Sequence, residues 1–288
     1  MAMPLMSVRS SALPSNEEPK LETIRLERPA GGVAVATLDR PDRMNAMTMV
    51  MFAELEQLAL DLGEQDDLRV LIITGAGAAF CAGYDLADAA ELPGLSPMGM
   101  LARQEHAARA LSAIRSIRVP VIAAVNGAVA GGGLALALAA DIRLASPSAR
   151  FNAAFVRIGL SAGDLGTSWL LPRLIGPALA AEIAYTGRFV EAAEAERIGL
   201  VNHVVLAQDL MDEAIAMASQ IKGNSPAGVG MSKRALQRNL EVASYRAALE
   251  LENRGQALLT QGQDMPEALA AFTDRRAPVF TPKVGAPW

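Results

Sequence analysis

Two apolar, strand-like runs in this chain each end in glycine. Arg69–Thr74 leads into Gly75-Ala-Gly-Ala-Ala-Phe-Cys-Ala-Gly-Tyr-Asp-Leu86, and Pro120–Val125 leads into Asn126-Gly-Ala-Val-Ala-Gly-Gly-Gly-Leu-Ala135. Glycine at the end of a buried strand lets backbone turn tightly, and it leaves bare N–H groups where a ligand oxygen can approach. One such loop alone reads as a tight turn with close packing. Two of them, separated by a helical stretch, impose a repeated order of strand, glycine loop and helix. That order predicts right-handed crossover units around a mostly parallel sheet, and so an α/β core.

The flanking sequence fits this order. From Leu21 to Leu38 apolar and polar residues alternate on either side of Pro29–Gly32, which predicts a hairpin. Thr48 is placed to cap a helix running to about Leu62, with Met51, Leu55, Leu58 and Leu62 three and four residues apart. Gly75–Gly83 reads as a loop of small residues, Pro97–Ile117 as a helix, and Gly131–Ala140 as the start of a buried helix. Asp141–Ala145 predicts a short strand. Phe151 opens a mostly irregular segment that enters a helix near Leu165–Leu174. From Ala207 the pattern is helical, with breaks at Gly223–Pro226 and Gln261–Pro266 and an extended end after Ala277. Three parts result: a flexible tail over 1–20, an α/β core over 21–206 and a helical region over 207–288.

Charge and cysteine usage narrow the function. A formal net charge of -5 lacks the basic excess that displaces counterions from phosphates, so nucleic acid is excluded as a partner and an anionic ligand needs a local basic site. One cysteine, Cys81, excludes an intrachain disulfide and, with two histidines, leaves little material for a zinc site, so no metal is expected. A reducing, cytoplasmic setting is expected. The uncharged stretch Val119–Ala140 contains Pro120, Asn126 and three consecutive glycines, a composition suited to strand, loop and helix rather than to a membrane span. The first twenty residues lack a basic segment followed by an apolar one, so they do not read as a signal peptide.

Taken together, the two glycine segments resemble the crotonase superfamily, that is, the enoyl-CoA hydratase/isomerase family. Its members carry Phe-Ser-Ala-Gly-x-Asp-Leu and Ala-Ala-Val-Asn-Gly followed by Gly-Gly-Gly. The likeness extends to Arg40-Pro-Asp-Arg-Met-Asn-Ala46, to Gly159–Gly176 and to Ala192–Val201. It implies the crotonase (ClpP-like) fold, with mostly parallel sheet units and a C-terminal helical region that mediates trimerisation and closes the pocket, giving a homotrimer or homohexamer. It also implies an acyl-CoA substrate and no further cofactor. The backbone N–H groups of Tyr84 and Gly132 would form an oxyanion hole for the thioester oxygen, on which negative charge develops when a neighbouring carbon loses a proton. Coenzyme A would lie along Arg43, Met44 and Ala46 and along Ala82, Asp85 and Leu86. Arg43 is either a phosphate partner or a solvated arginine, and the same pair of readings applies to Arg275 and Arg276.

The chain also departs from the family pattern. Hydratases of this family hold water between two glutamates, and the corresponding positions here are Ala135 and Phe155. One carboxylate remains nearby, Asp164, which is read either as an acid/base group or as the cap of the following helix. Phe155, Leu160 and Trp169 would form an apolar wall around it. One base suffices to move a double bond, because it can remove and return the same proton, whereas hydration usually engages two groups. The sequence therefore favours isomerase-type proton transfer through a thioester enolate. Hydration by a variant route, a non-catalytic acyl-CoA binding protein and a nucleophilic Asp164 are the alternatives. His106 is either a base bordering the acyl pocket or a solvated helix residue, His203 is structural, and Cys81 is a small packing residue.

Overall fold

The computed structural model describes residues 21–280; the expected N-terminal tail and the last residues of the expected extended end lie outside them. The hairpin is present: β1 (Ile24–Ala30) pairs antiparallel with β2 (Val33–Leu38). Helix α1 (Met49–Gly63) follows, and the Thr48 side chain accepts a hydrogen bond from the Met51 N–H as its cap.

From there each turn of the chain lays down one strand in each of two sheets. β3 (Val70–Gly75) is followed by β4 (Ala79–Cys81), then α2 (Leu86–Ala89) and α3 (Pro97–Ser116). β5 (Val121–Val125) is followed by β6 (Ala128–Ala130) and α4 (Gly132–Ala139). β7 (Ile142–Ala145) is followed by β8 (Arg150–Asn152), then α5 (Thr167–Ile175) and α6 (Pro177–Thr186). β9 (Phe189–Glu191), α7 (Ala192–Arg197) and β10 (His203–Val204) complete the core. The six-stranded sheet has the order β1-β2-β3-β5-β7-β10 and the four-stranded sheet the order β4-β6-β8-β9. Beyond the hairpin, pairing is parallel except where β9 meets β8.

The second sheet corrects the expectation of a plain small-residue loop over Gly75–Gly83 and of irregular chain from Phe151. Its strands have two or three residues' worth of pattern at most, too little for alternation to show. They exist because β4, β6 and β8 pair with one another.

The inner strands β3 and β5 of the larger sheet are buried on both faces, so they read as unbroken apolar runs, whereas the edge strand β1 is mostly exposed. Leu71, Ile73, Val121 and Ala123 face the main core with α1, α3 and α4. Val70, Ile72, Ile122 and Ala124 face the opposite side, which α8 (Leu210–Lys222) covers with Leu210, Ala214 and Ala218. α9 (Pro226–Asn239) is tied to this framework through Lys233, whose Nζ donates to the Val119 carbonyl and meets Asp141, both at 2.8 Å. α10 (Tyr245–Leu259) and α11 (Asp264–Thr273) continue the chain and leave Tyr245, Leu258 and Phe272 exposed. The expected break at Gln261–Pro266 is shorter, because α11 begins at Asp264 and Pro266 sits in its first turn, where a missing N–H costs nothing. A further break, between Asn239 and Tyr245, was not expected. No helix among the described residues is long and apolar enough to cross a membrane.

Gly133 shows how tightly the two glycine segments meet: a Cβ there would fall 2.1 Å from the Cys81 carbonyl oxygen and 2.8 Å from the Cys81 Cβ. Backbone cannot yield as a flexible side chain can, so Gly133→Ala is expected to destabilise by about 3 kcal/mol or more. Gly31, with nothing within 4 Å of the same position, is the control. Thermal unfolding should show a large drop for the first variant and almost none for Gly31→Ala; equal midpoints would contradict the packing described.

Candidate active site

Gly83 and Gly132 lie against each other. A Cβ on Gly83 would fall 2.7 Å from the Ala130 carbonyl oxygen and 3.3 Å from the Gly132 nitrogen, and Gly83 has φ +92°, a conformation that suits glycine. The stretch 83–85 is clamped from the other side: the Met47 N–H donates to the Gly83 carbonyl (2.7 Å) and the Asp85 N–H donates to the Met47 carbonyl (3.0 Å). Tyr84 lies between these bonds, and its own N–H donates to no backbone acceptor among the described residues. Gly132 is the first residue of α4, where a helical N–H has no partner within the helix. The structure thus brings the two expected backbone donors side by side.

The expected coenzyme A segments are also adjacent. Met44 and Asn45 take left-handed conformations (φ 50° and 54°), which turn the Met44 carbonyl to accept from the Ala82 N–H at 3.0 Å. Asn45 is fully buried: its Nδ2 donates to the Ala76 and Ala79 carbonyls (2.9 and 2.8 Å) and its Oδ1 accepts from the Arg40 N–H (2.9 Å). Arg40 then bridges the two segments, with Nη1 on the Ala46 carbonyl and 2.9 Å from the Asp85 carboxylate. Asp85 also caps α2 by accepting from the Ala87 N–H at 3.0 Å. That hydrogen bond first, and Arg40 in support against the cost of burial, hold its carboxyl below the usual range. Its carboxylate is therefore engaged in fixing the loop. Arg43, Met44 and Leu86 are exposed beside it, while Ala46 is buried. Arg40 and Asn45 are the residues whose weight the sequence did not show, although both stand inside the quoted Arg40–Ala46 motif.

Asp164 does not cap α5. Leu165 and Gly166 are both left-handed (φ 48° and 83°), which delays the helix to Thr167 with Gly166 as its cap, and the Thr167 N–H is taken by the Asp164 backbone carbonyl at 2.8 Å. The carboxylate turns instead to α3, where Gln104 Nε2 donates to Oδ1 at 2.6 Å. Burial raises the Asp164 pKa, outweighing the opposing hydrogen bonds from Gln104 and from the Leu165 N–H. The next residue reaches the paired glycines: Leu165 Cδ1 lies 3.5 Å from where a Cβ on Gly132 would stand, with Met47 Sδ at 3.2 Å.

The apolar wall differs from expectation. Phe155 is buried, with Cε1 3.8 Å from the Cβ position of Gly131. Leu160 instead lines a cavity of about 590 Å³ between the 160–163 loop, α5 and α6, to which none of the expected site residues contributes. Trp169 is exposed, with the Arg173 guanidinium 3.2 Å over its ring. Met47 and Leu165, not Leu160 and Trp169, are the apolar side chains that stand against Gly132. Ala135 and Phe155 are both buried. His106 stands 3.9 Å from Glu56 on the α1–α3 side, His203 is exposed on β10, and Arg276 is held by Glu267 at 2.6 Å. Burial pushes the Cys81 thiol up to about 12, which suits a packing residue and not a nucleophile.

A family model described as enoyl-CoA hydratase/isomerase matches residues 28–283. The chain belongs to this family. A probable enoyl-CoA hydratase of Mycobacterium tuberculosis is 42% identical over 268 residues, covering 90% of this chain and 92% of that protein. The crystal structure of an enoyl-CoA hydratase from Bacillus anthracis superposes with a TM-score of 0.86 at 32% identity, covering 91% of this chain and all of that one. A monofunctional enoyl-CoA isomerase from Mycobacterium smegmatis is similar at 43% identity and a TM-score of 0.68, covering 79% of this chain and 98% of that one. The fold is that of the enoyl-CoA hydratase/isomerase enzymes, and both activities occur among the family's members similar to this chain.

In this member the Arg40–Ala46 turn rests on Asn45. Asn45→Ala removes three buried hydrogen bonds and puts alanine in a left-handed conformation, so a loss of roughly 2–4 kcal/mol is expected. Urea unfolding measures it, and a change within experimental error would show that the turn is held elsewhere.

Proposed function

We propose that this protein is an acyl-CoA isomerase that moves a double bond through a thioester enolate, with Asp164 as the acid/base group. The observation that carries the reading is a half-buried carboxylate of raised pKa, held by Gln104, on the loop that covers Gly132, while Ala135 and Phe155 supply no second carboxylate. In the forward direction Asp164 takes a proton from the carbon next to the thioester of a 3-enoyl-CoA. Electrons spread into a dienolate, whose oxygen accepts hydrogen bonds from the Tyr84 and Gly132 N–H groups; each such donor contributes roughly 3 kcal/mol to lowering the barrier. The proton is delivered two carbons further along, leaving the double bond conjugated with the carbonyl. Because these donors are backbone groups, the tyrosine side chain does not disable the hole.

Coenzyme A itself is assigned to the groove beside Arg43–Ala46 and Ala82–Leu86. Met44 and Leu86 offer exposed apolar surface for a flat base there, and Arg43 offers an exposed cation for phosphate. Asp85 acts by holding this groove in shape. Hydration is the second reading, favoured by the hydratase names of the relatives. A water would then have to be positioned by groups other than the two family glutamates.

Turnover of a panel of 2- and 3-enoyl-CoA thioesters, followed by product mass and isomer separation, tests the proposal. An isomer of unchanged mass is expected, with kcat reduced about 10²- to 10⁴-fold in Asp164→Asn. Since the base must be ionised, wild-type activity should fall as pH drops through a pKa above the ordinary aspartate range, and that limb should be absent from any residual activity of the variant. A product heavier by one water would replace isomerisation with hydration.

The assembly is assigned as a trimer or a dimer of trimers, in keeping with the family resemblance. Tyr245, Leu258 and Phe272, 80%, 69% and 85% exposed on α10 and α11, are apolar surface of the kind a second copy covers. Sedimentation velocity should find a trimer or hexamer, and a monomer at micromolar concentration would overturn the assignment.

A further inference from the structure

The loop that carries Asp164 is rich in glycine, with Gly159, Gly163 and Gly166 in eight residues, and glycine backbone is costly to fix. Its contact with Gly132 is made by Leu165 and not by the carboxylate. The Leu165 N–H beside Asp164 belongs to the same loop and moves with it. Among the described residues, one side chain holds the carboxylate from outside: Gln104 Nε2 donates to Oδ1 at 2.6 Å. Gln104 projects from the middle of α3, a helix capped by Ser96 and packed into the main core through Ala107, Ala110, Leu111 and Ile114. The ionisable groups on the surrounding elements are engaged elsewhere or face solvent. Arg103 meets Asp88 and Glu91, His106 meets Glu56, Asp85 meets Arg40, the Arg173 guanidinium lies over Trp169, the Tyr84 hydroxyl meets Met49 Sδ, and Glu105 is exposed.

The chemistry of the pair gives the two carboxylate oxygens different work. An ionised carboxylate only accepts, so the amide must turn its NH2 group towards it. With Oδ1 engaged in this way, Oδ2 is the oxygen left to carry a proton. Once that proton has arrived, Oδ1 is the carbonyl oxygen of the acid and still accepts from the same N–H. The contact therefore holds in both halves of a proton-transfer cycle, and no part of it has to rearrange between them.

We propose that Gln104 is the positioning residue of the proton transfer, fixing Asp164 by its Oδ1 so that Oδ2 takes the proton from the substrate and delivers it. This rests on the isomerase reading above. Oδ2 forms an O–H bond as the C–H bond beside the thioester breaks, and the electron pair passes into the dienolate. That O–H bond then breaks as the new C–H bond forms two carbons further along, which returns Asp164 to its ionised state; the amide protons of Gln104 are not transferred. Without the amide the carboxylate would rotate on a glycine-rich loop, and orientation of the reacting groups would be lost. Donation from Gln104 also favours the ionised form, against the burial that disfavours it.

The experiment measures kcat, KM and the pH profile of kcat for 3-hexenoyl-CoA with wild type, Gln104→Leu, Gln104→Glu, Asp164→Asn and the double variant Gln104→Leu/Asp164→Asn. Leucine keeps the bulk and the helix while removing the donor; glutamate keeps the reach and puts an acceptor in the donor's place. Gln104→Leu should lose roughly 10- to 100-fold in kcat, with KM within about twofold of wild type. A donor that favours the ionised form lowers the pKa, so its removal lets Asp164 protonate at higher pH, and the low-pH limb should move upward. In Gln104→Glu two adjacent carboxyls share a proton, and the limb should move further in the same direction. Because Gln104 acts through Asp164, adding Gln104→Leu to Asp164→Asn should cost no further activity. The glutamate variant decides alone where the leucine variant does not fold. Wild-type kcat and an unmoved limb in the Gln104 variants, beside an inactive Asp164→Asn, overturn this inference and leave the isomerase reading standing. A loss of kcat with the limb in place, repeated in full in the Asp164→Asn background, overturns it as well, because that is the behaviour of a packing residue. An Asp164→Asn enzyme with wild-type rate removes the isomerase reading and this inference with it.

Discussion

The segment Ala78–Cys81 is in contact with glycine on three sides, and most of the molecule is arranged around that contact. A Cβ at Gly75 would lie 2.3 Å from the Ala79 carbonyl oxygen, one at Gly127 2.0 Å from that of Ala78, and one at Gly133 2.1 Å from that of Cys81. Backbone meets backbone at each point with no room for a side chain. Because Gly75 ends β3, Gly127 lies between β5 and β6 and Gly133 is in the first turn of α4, these contacts hold both sheets and the central helix at one spacing. The pairing of Gly83 with Gly132, which sets the two candidate oxyanion donors side by side, is the last contact in the same series. Preorganised donors of this kind act strongly because nothing has to move when charge develops.

Two aspartates show how the surroundings divide the work. Asp85 meets an Ala87 N–H and the Arg40 guanidinium, and its pKa is lowered. Asp164 meets a neutral amide and one N–H, against which burial prevails, and its pKa is raised. A carboxylate that stays ionised is a good strut, and Asp85 joins the Arg40–Ala46 turn to the segment carrying Tyr84. A carboxyl whose two protonation states lie closer in free energy is suited to carry a proton. Neither side chain could exchange places with the other, since each role depends on the partners that the local backbone provides.

Long elements with a clear rhythm were legible in the sequence: the hairpin, α1 with its Thr48 cap, α3, and the apolar strands β3, β5 and β7. The four short strands of the second sheet were not. Three residues cannot display a period of two, and what makes β4, β6, β8 and β9 strands is their mutual pairing, not their composition. The family motifs located the paired N–H groups because glycine at fixed positions is a backbone signal. The direction of the Asp164 side chain was illegible for a related reason. Asp-Leu-Gly-Thr reads as a cap followed by a helix, and only the left-handed turn at Leu165, unusual for leucine, moves the helix start beyond its reach. Leu160 and Trp169 were misplaced with it, since both were positioned by assuming an ordinary path for this loop.

Arg103 and Gln104 carry no motif, and a helix with many polar residues gives no reason to single them out. Their importance comes from the position of α3. Its buried face is Ala107, Ala110, Leu111 and Ile114, packed with α1 in the main core. Small residues at two of these places let the helices approach closely, and Glu56 on α1 adds polar contacts to His106 and Arg109 outside that face. Successive helical residues project about 100° apart, so one placement of α3 sends Arg103 towards Asp88 and Gln104 towards Asp164. Neither can be adjusted without the other. Asp88, on the short helix that follows the Tyr84 segment, and Asp164 are distant in sequence, yet both meet adjacent residues of one helix, and the α1–α3 packing therefore governs the distance between them.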